Sequence, residues 1–150
     1  DHNLLMEVEK FLDTVAICPN QLGQMAALWG LQNMSQWCAG ERAEILDRRA
    51  AIEEYWPAMA SAGWEHQGLG AIFAYVRHPF ALPSDELAPA LVREAGVLLL
   101  PGTMFYPDGD PRAPHELRIA FANIDRGGIK TLFERLSALP PALATAPANA

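Results

Sequence analysis

The chain has 150 residues, of which 51% are hydrophobic and 19% are charged, and its formal net charge is −7. This composition predicts a folded domain with its own hydrophobic core and excludes a disordered chain. The acidic balance argues against non-specific binding to nucleic acid, because few basic residues are available to neutralise phosphates. The longest apolar run, residues 96–102, is too short to cross a membrane.

Helical periodicity dominates the first part of the chain. Apolar residues recur at helical spacing over 3–14, 21–37 and 41–62. We expect a short extended run over 15–20 between the first two helices. Asn20 is expected to be the N-cap of the second helix, because its side chain can accept a hydrogen bond from the first turn.

The third helix is the longest, and glycines mark its expected ends. The tripeptide CAG at 38–40 is expected to separate it from the second helix, and Gly63 is expected to stop it. Pro57 lies inside the pattern and removes one backbone donor, so we expect a kink or an early end there.

After residue 70 the pattern changes from helical to alternating. The elements predicted beyond this point are a strand over 71–77, a helix over 83–96, a short buried strand over 97–102, a loop over 103–115, a strand over 117–123 and a helix capped by Asp125. Ser84 is expected to cap the helix over 83–96, and Gly96 is expected to lie just past its end. The order of elements predicts a small sheet flanked by helices, which is the α+β class.

Arg118 is the most informative single residue in the predicted strands. In ELRIAFAN, residues 116–123, it shares one face with Ala120 and Ala122, while Leu117, Ile119 and Phe121 share the other. An arginine in this position can be a solvated edge residue. It can also receive a carboxylate, because the planar guanidinium donates two parallel hydrogen bonds and stays charged when partly buried. Position alone leaves both alternatives open.

Other residue patterns argue against several kinds of site. None of the four histidines, His2, His66, His78 and His115, has zinc-ligand spacing, so no metal site is expected. The glycines at 68–70 and 101–103 match neither a phosphate-binding loop nor a dinucleotide fingerprint. No serine lies in a nucleophile-elbow context.

Two features bear on the cellular setting of the chain. Cys18 and Cys38 are the only cysteines, and two thiols in an acidic chain favour a reducing compartment with both thiols free, which we take as cytoplasmic. Because the chain begins at Asp1 rather than Met, we expect a processed product or a piece of a longer polypeptide.

Five segments occur in an order that resembles a known family. They are ICPNQLGQMAALWGL at 17–31, GAIFAYVRHP at 70–79, SDELAPALVREAGVLLLPGTMF at 84–105, ELRIAFAN at 116–123 and GGIKTLFERL at 127–136. Together they resemble the C-terminal part of the class I and II aminotransferases, which are fold-type I enzymes that use pyridoxal 5′-phosphate. The resemblance covers roughly residues 3–137.

The resemblance implies a fold, a domain organisation and two site residues. The fold is the C-terminal small domain of a fold-type I enzyme, with a mostly antiparallel sheet and a long linking helix over 41–62. Residues 1–20 would be the trailing segment of a large domain, 21–138 the C-terminal domain and 139–150 an Ala/Pro-rich disordered tail. Arg118 matches the family's arginine that binds the substrate α-carboxylate. CPNQ at 18–21 matches a loop near the neighbouring subunit's cofactor, which places Asn20 close to that cofactor.

The chain also departs from the family. The lysine that binds the cofactor, the aspartate that pairs with the pyridine nitrogen and the aromatic residue that stacks on its ring have no match here. Lys10 and Lys130 are the only lysines, and neither matches the family position. We therefore expect pyridoxal phosphate in the full-length enzyme, no cofactor covalently bound to this fragment, no catalytic residue within it and no activity of the fragment alone.

The leading hypothesis is the carboxylate-binding portion of an aminotransferase that moves an amino group between an amino acid and a 2-oxo acid. Its expected partners are that substrate, the N-terminal large domain of the same enzyme and a second copy in a homodimer, with no nucleic acid and no membrane. Two alternatives stay open. One is a non-enzymatic α+β binding or regulatory module. The other is a related fold-type I enzyme, such as a decarboxylase, lyase or acyltransferase, or a transcription regulator with an aminotransferase-like domain.

Overall fold

The computed structural model describes residues 1–139, and these form two compact units. One unit is Asp1–Arg42, and the other begins at Ala43. Of the expected tail over 139–150, residues 140–150 lie outside the described residues. The long helix α3 begins in the first unit and continues into the second, so the units are described in turn.

The first unit contains helices α1 (His2–Ala16) and α2 (Gln21–Asn33). The expected extended run over 15–20 is wrong, because α1 continues to Ala16 and Ile17 still has helical dihedral angles (φ −56°, ψ −34°). Val15 follows Phe11 by four residues and therefore continues the apolar pattern of the helix. The expected cap of α2 is confirmed, since the Asn20 side chain accepts a hydrogen bond from the Gly23 amide at 2.6 Å.

The boundary between α2 and α3 (Ser35–Ser61) lies at Met34, not at residues 38–40. Asn33 ends α2 because its side-chain amide donates to the Trp29 carbonyl at 2.8 Å, which competes with the helical ladder. Gly40 lies inside α3 and therefore does not mark the boundary between the two helices. Nothing lies within 4 Å of a Cβ built at this position.

Helix α3 passes through Pro57 without ending there. Of the two alternatives expected at Pro57, the early end is wrong, since the helix continues to Ser61, whose hydroxyl donates to the Pro57 carbonyl at 2.8 Å, and the kink stays a prediction. Gly63 does end the helix, as expected. It adopts φ 86°, and the amide of Trp64 then donates to the Met59 carbonyl at 3.1 Å.

The second unit is built on a four-stranded sheet in which all neighbours are antiparallel. Its strands are β1 (Glu65–Gly70), β2 (Phe73–Arg77), β3 (Leu100–Pro101) and β4 (Glu116–Ala120), in the spatial order β1-β2-β4-β3. Strand β1 was not predicted, because EHQGLG contains two glycines and no apolar alternation. It pairs with β2 through a tight turn at Ala71–Ile72, where Ala71 adopts φ 48°. Strands β2, β3 and β4 are shorter than the runs predicted for them.

Helices α4 (Ser84–Ala95) and α5 (Arg126–Ser137) complete the second unit. Asp125 caps α5 as expected, accepting from the Gly128 amide at 2.7 Å, and Gly96 ends α4 with φ 61°. Ser84 is not the cap of α4, because Pro83 occupies that position. The Ser84 hydroxyl is buried and donates instead to the Ala113 carbonyl at 2.8 Å, which ties α4 to the loop before β4.

One face of the sheet packs against α3, α4 and α5. Its core is formed by fully buried side chains from the strands and these helices, chiefly Ile52, Met59, Val76, Leu87, Leu91, Leu117, Ile119, Phe121, Ile129, Phe133 and Leu136. The loop over 103–115 contains two short 3₁₀ turns, Gly102–Met104 and Ala113–His115. A helix-flanked, antiparallel sheet confirms the α+β class and leaves the opposite face of the sheet available for a site.

A buried histidine makes this unit sensitive to acid. His78 is 4% exposed, its Nε2 lies 3.1 Å from the Pro114 carbonyl, and its Nδ1 is buried without a partner among the described residues. Burial, opposed by the Pro114 hydrogen bond and reinforced by the nearby His115 and Arg77, lowers the pKa of His78 to about 4. His78 is therefore neutral in the folded protein at pH 7.

We expect the free energy of unfolding to fall between pH 6.5 and about 4 because of His78. The unfolded chain binds a proton on this histidine over that range and the folded chain does not, which favours unfolding by on the order of 2 kcal/mol. Urea denaturation at pH 7 and pH 4.5, compared with His78→Gln, isolates the effect. An equally steep loss of stability in His78→Gln would contradict this assignment.

Candidate functional site

The face of the sheet opposite the core carries aromatic and charged side chains. Alternation along β4 places Glu116, Arg118 and Ala120 on this face, while Leu117 and Ile119 are buried in the core. The register pairs Arg118 with Tyr75 and Ala120 with Phe73. Antiparallel partners project to the same side, so these residues form one patch.

Arg118 is held between strand and loop by two aromatic rings. Its Cζ lies 4.2 Å from the centre of the Phe73 ring on β2 and 4.1 Å from that of Phe105 in the loop after β3. The side chain is half-buried, and its Nε is buried with no hydrogen-bond partner among the described residues. No carboxylate in residues 1–139 forms an ion pair with it. Cation–π contacts stabilise the positive charge of the guanidinium, and they do not pair its N–H groups with an acceptor.

The residues around Arg118 differ in part from those that the sequence predicted on its face of the strand. Ala120 lies beside it and is exposed, but β4 ends there, and the Ala122 carbonyl accepts a hydrogen bond from Arg48 Nη1. The two rings over the guanidinium were not foreseen. The alternating run over 71–77 places Phe73 on the same face of the strand as Tyr75, two residues away. In contrast, nothing in the loop sequence indicated that Phe105 would reach β4.

Arg118 lines a cavity of about 610 Å³ at the edge of the sheet. The cavity lies between the segment over 96–100, the end of β4 and helix α5, and most of its lining is aliphatic. Among residues 1–139, its two charged lining residues are Arg118 and Arg135, and none of its lining residues in that range is acidic. Arg135 donates weakly to the carbonyls of Ala95 and Gly96, at 3.3 and 3.4 Å. Phe73 and Phe105, the rings over the Arg118 guanidinium, are not among the residues that line this cavity.

Two tyrosines and a glutamate border Arg118. The Tyr106 hydroxyl donates to Glu116 Oε2 at 2.7 Å, and this hydrogen bond raises the pKa of Tyr106 to about 12. Burial, reinforced by Glu116 and opposed by Arg118, raises the pKa of Tyr75, whose hydroxyl is buried without a partner among the described residues. The Tyr75 ring meets Phe105 and Tyr106 edge-on, with centroids 6.1 and 6.2 Å apart.

The second sequence-predicted site residue, Asn20, belongs to the first unit. Its side-chain oxygen is used in capping α2, and Arg118 lies in the other unit. A position of Asn20 near a cofactor therefore stays a prediction.

The two lysines do not fit the family's cofactor-binding lysine. Lys10 forms an exposed ion pair with Glu7 at 2.6 Å, and Lys130 forms one with Glu134 at 3.7 Å. A lysine that forms a covalent bond with a carbonyl group works as a free amine and needs a desolvated setting, which neither residue has. Neither lysine therefore has the setting of a cofactor-binding lysine.

Three further findings concern residues 1–139. No group of three or more His, Cys, Asp or Glu side chains in this range could hold a metal ion. None of its helices combines the length and hydropathy needed to span a bilayer. Both cysteines are free and exposed.

Solved structures resemble this fold. An aminotransferase from Mycobacterium tuberculosis matches with a TM-score of 0.72 and 23% identity, over 90% of this chain and 34% of its own. LysN, an α-aminoadipate aminotransferase from Thermus thermophilus complexed with N-(5′-phosphopyridoxyl)-L-leucine, matches with a TM-score of 0.72 and 20% identity, over 90% of this chain and 34% of its own. The aromatic aminotransferase from Pyrococcus horikoshii matches with a TM-score of 0.65 and 26% identity, over 85% of this chain and 33% of its own.

The chain thus spans about a third of the length of the solved structures that it matches. No curated protein sequence matches it significantly. The family model "Aminotransferase class I and II" matches residues 4–136, so the chain belongs to the class I and II aminotransferases, with a fold of type I.

Proposed function

We propose that this chain is the C-terminal, substrate-carboxylate-binding portion of a pyridoxal-phosphate-dependent aminotransferase. The complete enzyme would move an amino group between an amino acid and a 2-oxo acid. The observation that carries this proposal is Arg118, a half-buried guanidinium whose Cζ lies over two aromatic rings and which has no acidic partner among the described residues.

The geometry of Arg118 suits a carboxylate better than other anions of similar size. A guanidinium and a carboxylate are both planar and can join through two parallel N–H···O bonds. The Phe73 and Phe105 rings lie beside the guanidinium carbon, and a ligand carboxylate would bind through the guanidinium N–H groups. The substrate carboxylate would thus be fixed in both position and plane, which orients the rest of the amino acid.

The remaining chemistry is proposed to come from outside this chain. Pyridoxal phosphate supplies the electron sink for amino-group transfer when it is bound, and the protein supplies binding and orientation. Because neither Lys10 nor Lys130 fits the cofactor lysine, we infer that this chain alone is inactive and carries no covalently bound cofactor. Its own contribution is to bind the carboxylate at Arg118.

The proposed partners follow from the length of the related structures and from the exposed surface. The chain covers 34% of its relative from M. tuberculosis, so an N-terminal large domain would make up the rest. In the first unit Ile17, Leu22 and Leu31 are 73%, 83% and 86% exposed, and large apolar surfaces of this kind mark interaction sites. A large domain and a second subunit of a cytoplasmic homodimer would cover them. Asn20 would lie near the second subunit's cofactor.

Carboxylate binding tests this function directly. In an NMR titration of the folded wild-type chain, propionate is expected to shift the Arg118 side-chain signal, and propionamide, which has the same shape without the charge, is expected not to. Arg118→Gln should abolish binding of propionate while the spectrum stays dispersed. Equal binding to wild type and Arg118→Gln, or no binding to wild type, would overturn the carboxylate role.

One observation favours a second candidate, a non-enzymatic module that binds a small acid. Both lysines of the chain are exposed and ion-paired, so the chain has a receptor for an acid and no nucleophilic amine. The coding sequence upstream of Asp1 discriminates between the candidates. A lysine-bearing segment preceded by the aspartate that pairs with the cofactor supports the enzyme, and an unrelated domain supports the module.

A further inference from the structure

Along β4, the acidic side chain closest in sequence to Arg118 is that of Glu116. Glu116 and Arg118 lie two residues apart on the same face, which places their Cα atoms about 6.6 Å apart. Both side chains are long enough to meet across that distance, and Glu116 is only 4% exposed. An ion pair between them would occupy the guanidinium from within the protein.

That ion pair is not formed. Glu116 accepts a hydrogen bond from the neutral Tyr106 hydroxyl at 2.7 Å, and it makes no ion pair with Arg118 or with Arg77, its partner in the strand register, in the described part of the chain. A carboxylate pairs more strongly with a guanidinium than with a neutral hydroxyl, other things being equal. The position of Tyr106 therefore decides which partner Glu116 takes.

Several contacts hold Tyr106 in this position. It follows Phe105 directly, so the same loop places one ring over Arg118 and one hydroxyl on Glu116. Arg112 lies 4.5 Å above the Tyr106 ring and is fixed by an ion pair with Asp110 at 2.7 Å. The Tyr106 hydroxyl is protonated at neutral pH, as a phenol ordinarily is, and the hydrogen bond to Glu116 raises its pKa to about 12.

We propose that Tyr106 is a positioning residue that holds the Glu116 carboxylate away from Arg118 and so keeps the guanidinium available to the substrate carboxylate. The inference rests on the proposed function, because it assumes that Arg118 receives a carboxylate. Glu116 is in this view an internal competitor of the substrate, and the loop that carries Phe105 and Tyr106 both stacks on the arginine and restrains the competitor.

Removing one hydroxyl tests the proposal. In Tyr106→Phe, Glu116 loses its donor and should pair with Arg118, which shifts the Arg118 Nε–H signal downfield in the NMR spectrum without any ligand. The dissociation constant of propionate should rise about tenfold, as expected when a charge-assisted hydrogen bond competes for the same donor. The double variant Tyr106→Phe with Glu116→Gln removes the competitor and should restore propionate affinity to within about twofold of wild type.

The double variant separates this role from a structural one. If Tyr106 only supports the loop, Tyr106→Phe weakens binding and Glu116→Gln does not rescue it, which overturns the proposal. An unchanged Arg118 signal in Tyr106→Phe also overturns it. Glu116→Gln alone keeps an acceptor for Tyr106 and should bind propionate like wild type. Failure of wild type to bind propionate would instead count against the proposed function, while the ligand-free Arg118 signal still reports on the pairing with Glu116.

Discussion

In the proposed aminotransferase, Arg118→Lys is expected to lower kcat/KM about 10- to 100-fold toward every amino-acid substrate. Lysine keeps the positive charge but loses the planar pair of donors and the stacking on Phe73 and Phe105. The loss of a charge-assisted hydrogen bond costs about 1.5–3 kcal/mol, which corresponds to that range of rate. Steady-state kinetics with a panel of L-alanine, L-leucine, L-glutamate and L-phenylalanine measures the effect.

A matched control separates the effect at Arg118 from that of an arginine-to-lysine change elsewhere on the domain. Arg49 is an exposed residue of α3 that pairs only with Glu53, at 3.3 Å, among the described residues. Arg49→Lys should leave both kcat/KM and the unfolding temperature nearly unchanged, because exposed ion pairs contribute little. Unchanged efficiency of Arg118→Lys toward all four amino acids would show that the substrate carboxylate binds elsewhere.

Gly102→Ala is expected to destabilise the second unit by about 2–3 kcal/mol, through overpacking. A Cβ at this position would lie 2.6 Å from the Ala113 carbonyl oxygen and 2.8 Å from that of Glu116. Both contacts are with backbone, which cannot rotate away as a side chain would. Relief of the clash must move the turn that leads to Phe105 or the start of β4. Urea denaturation and propionate titration should therefore both register the change.

Gly68→Ala is the control for this substitution. Gly68 lies on β1, and nothing occupies the space within 4 Å of a Cβ built there. A Gly→Ala change in such a place is neutral or stabilising, by up to about 1 kcal/mol, because it restricts the unfolded chain. Equal stability of Gly102→Ala and Gly68→Ala would contradict the close packing inferred around the Pro-Gly turn.

Much of the fold could be predicted because local patterns and tertiary contacts agree. The apolar period of α5 and its Asp125 cap, the stop of α3 at Gly63 and the end of α4 at Gly96 each depend on residues close in sequence. Two of the errors occur where a distant partner decides. Ser84 is a residue type that favours helix caps, but its hydroxyl donates to the Ala113 carbonyl. Strand β1 contains two glycines, but it forms a strand because it pairs with β2.

The candidate site, like the fold, could be predicted from the sequence only in part. Alternation along 116–123 placed Arg118 opposite the core residues Leu117 and Ile119, and the ordered motifs pointed to the carboxylate receptor of the aminotransferase family. Both inferences depend on side-chain direction and residue order, which are properties of the chain alone. What Arg118 contacts could be learned only from the tertiary structure. The Phe105 ring and the Tyr106 hydroxyl come from a loop rich in Pro, Gly and Asp, whose path is set by backbone contacts with Ala113 and Glu116 rather than by a repeating pattern.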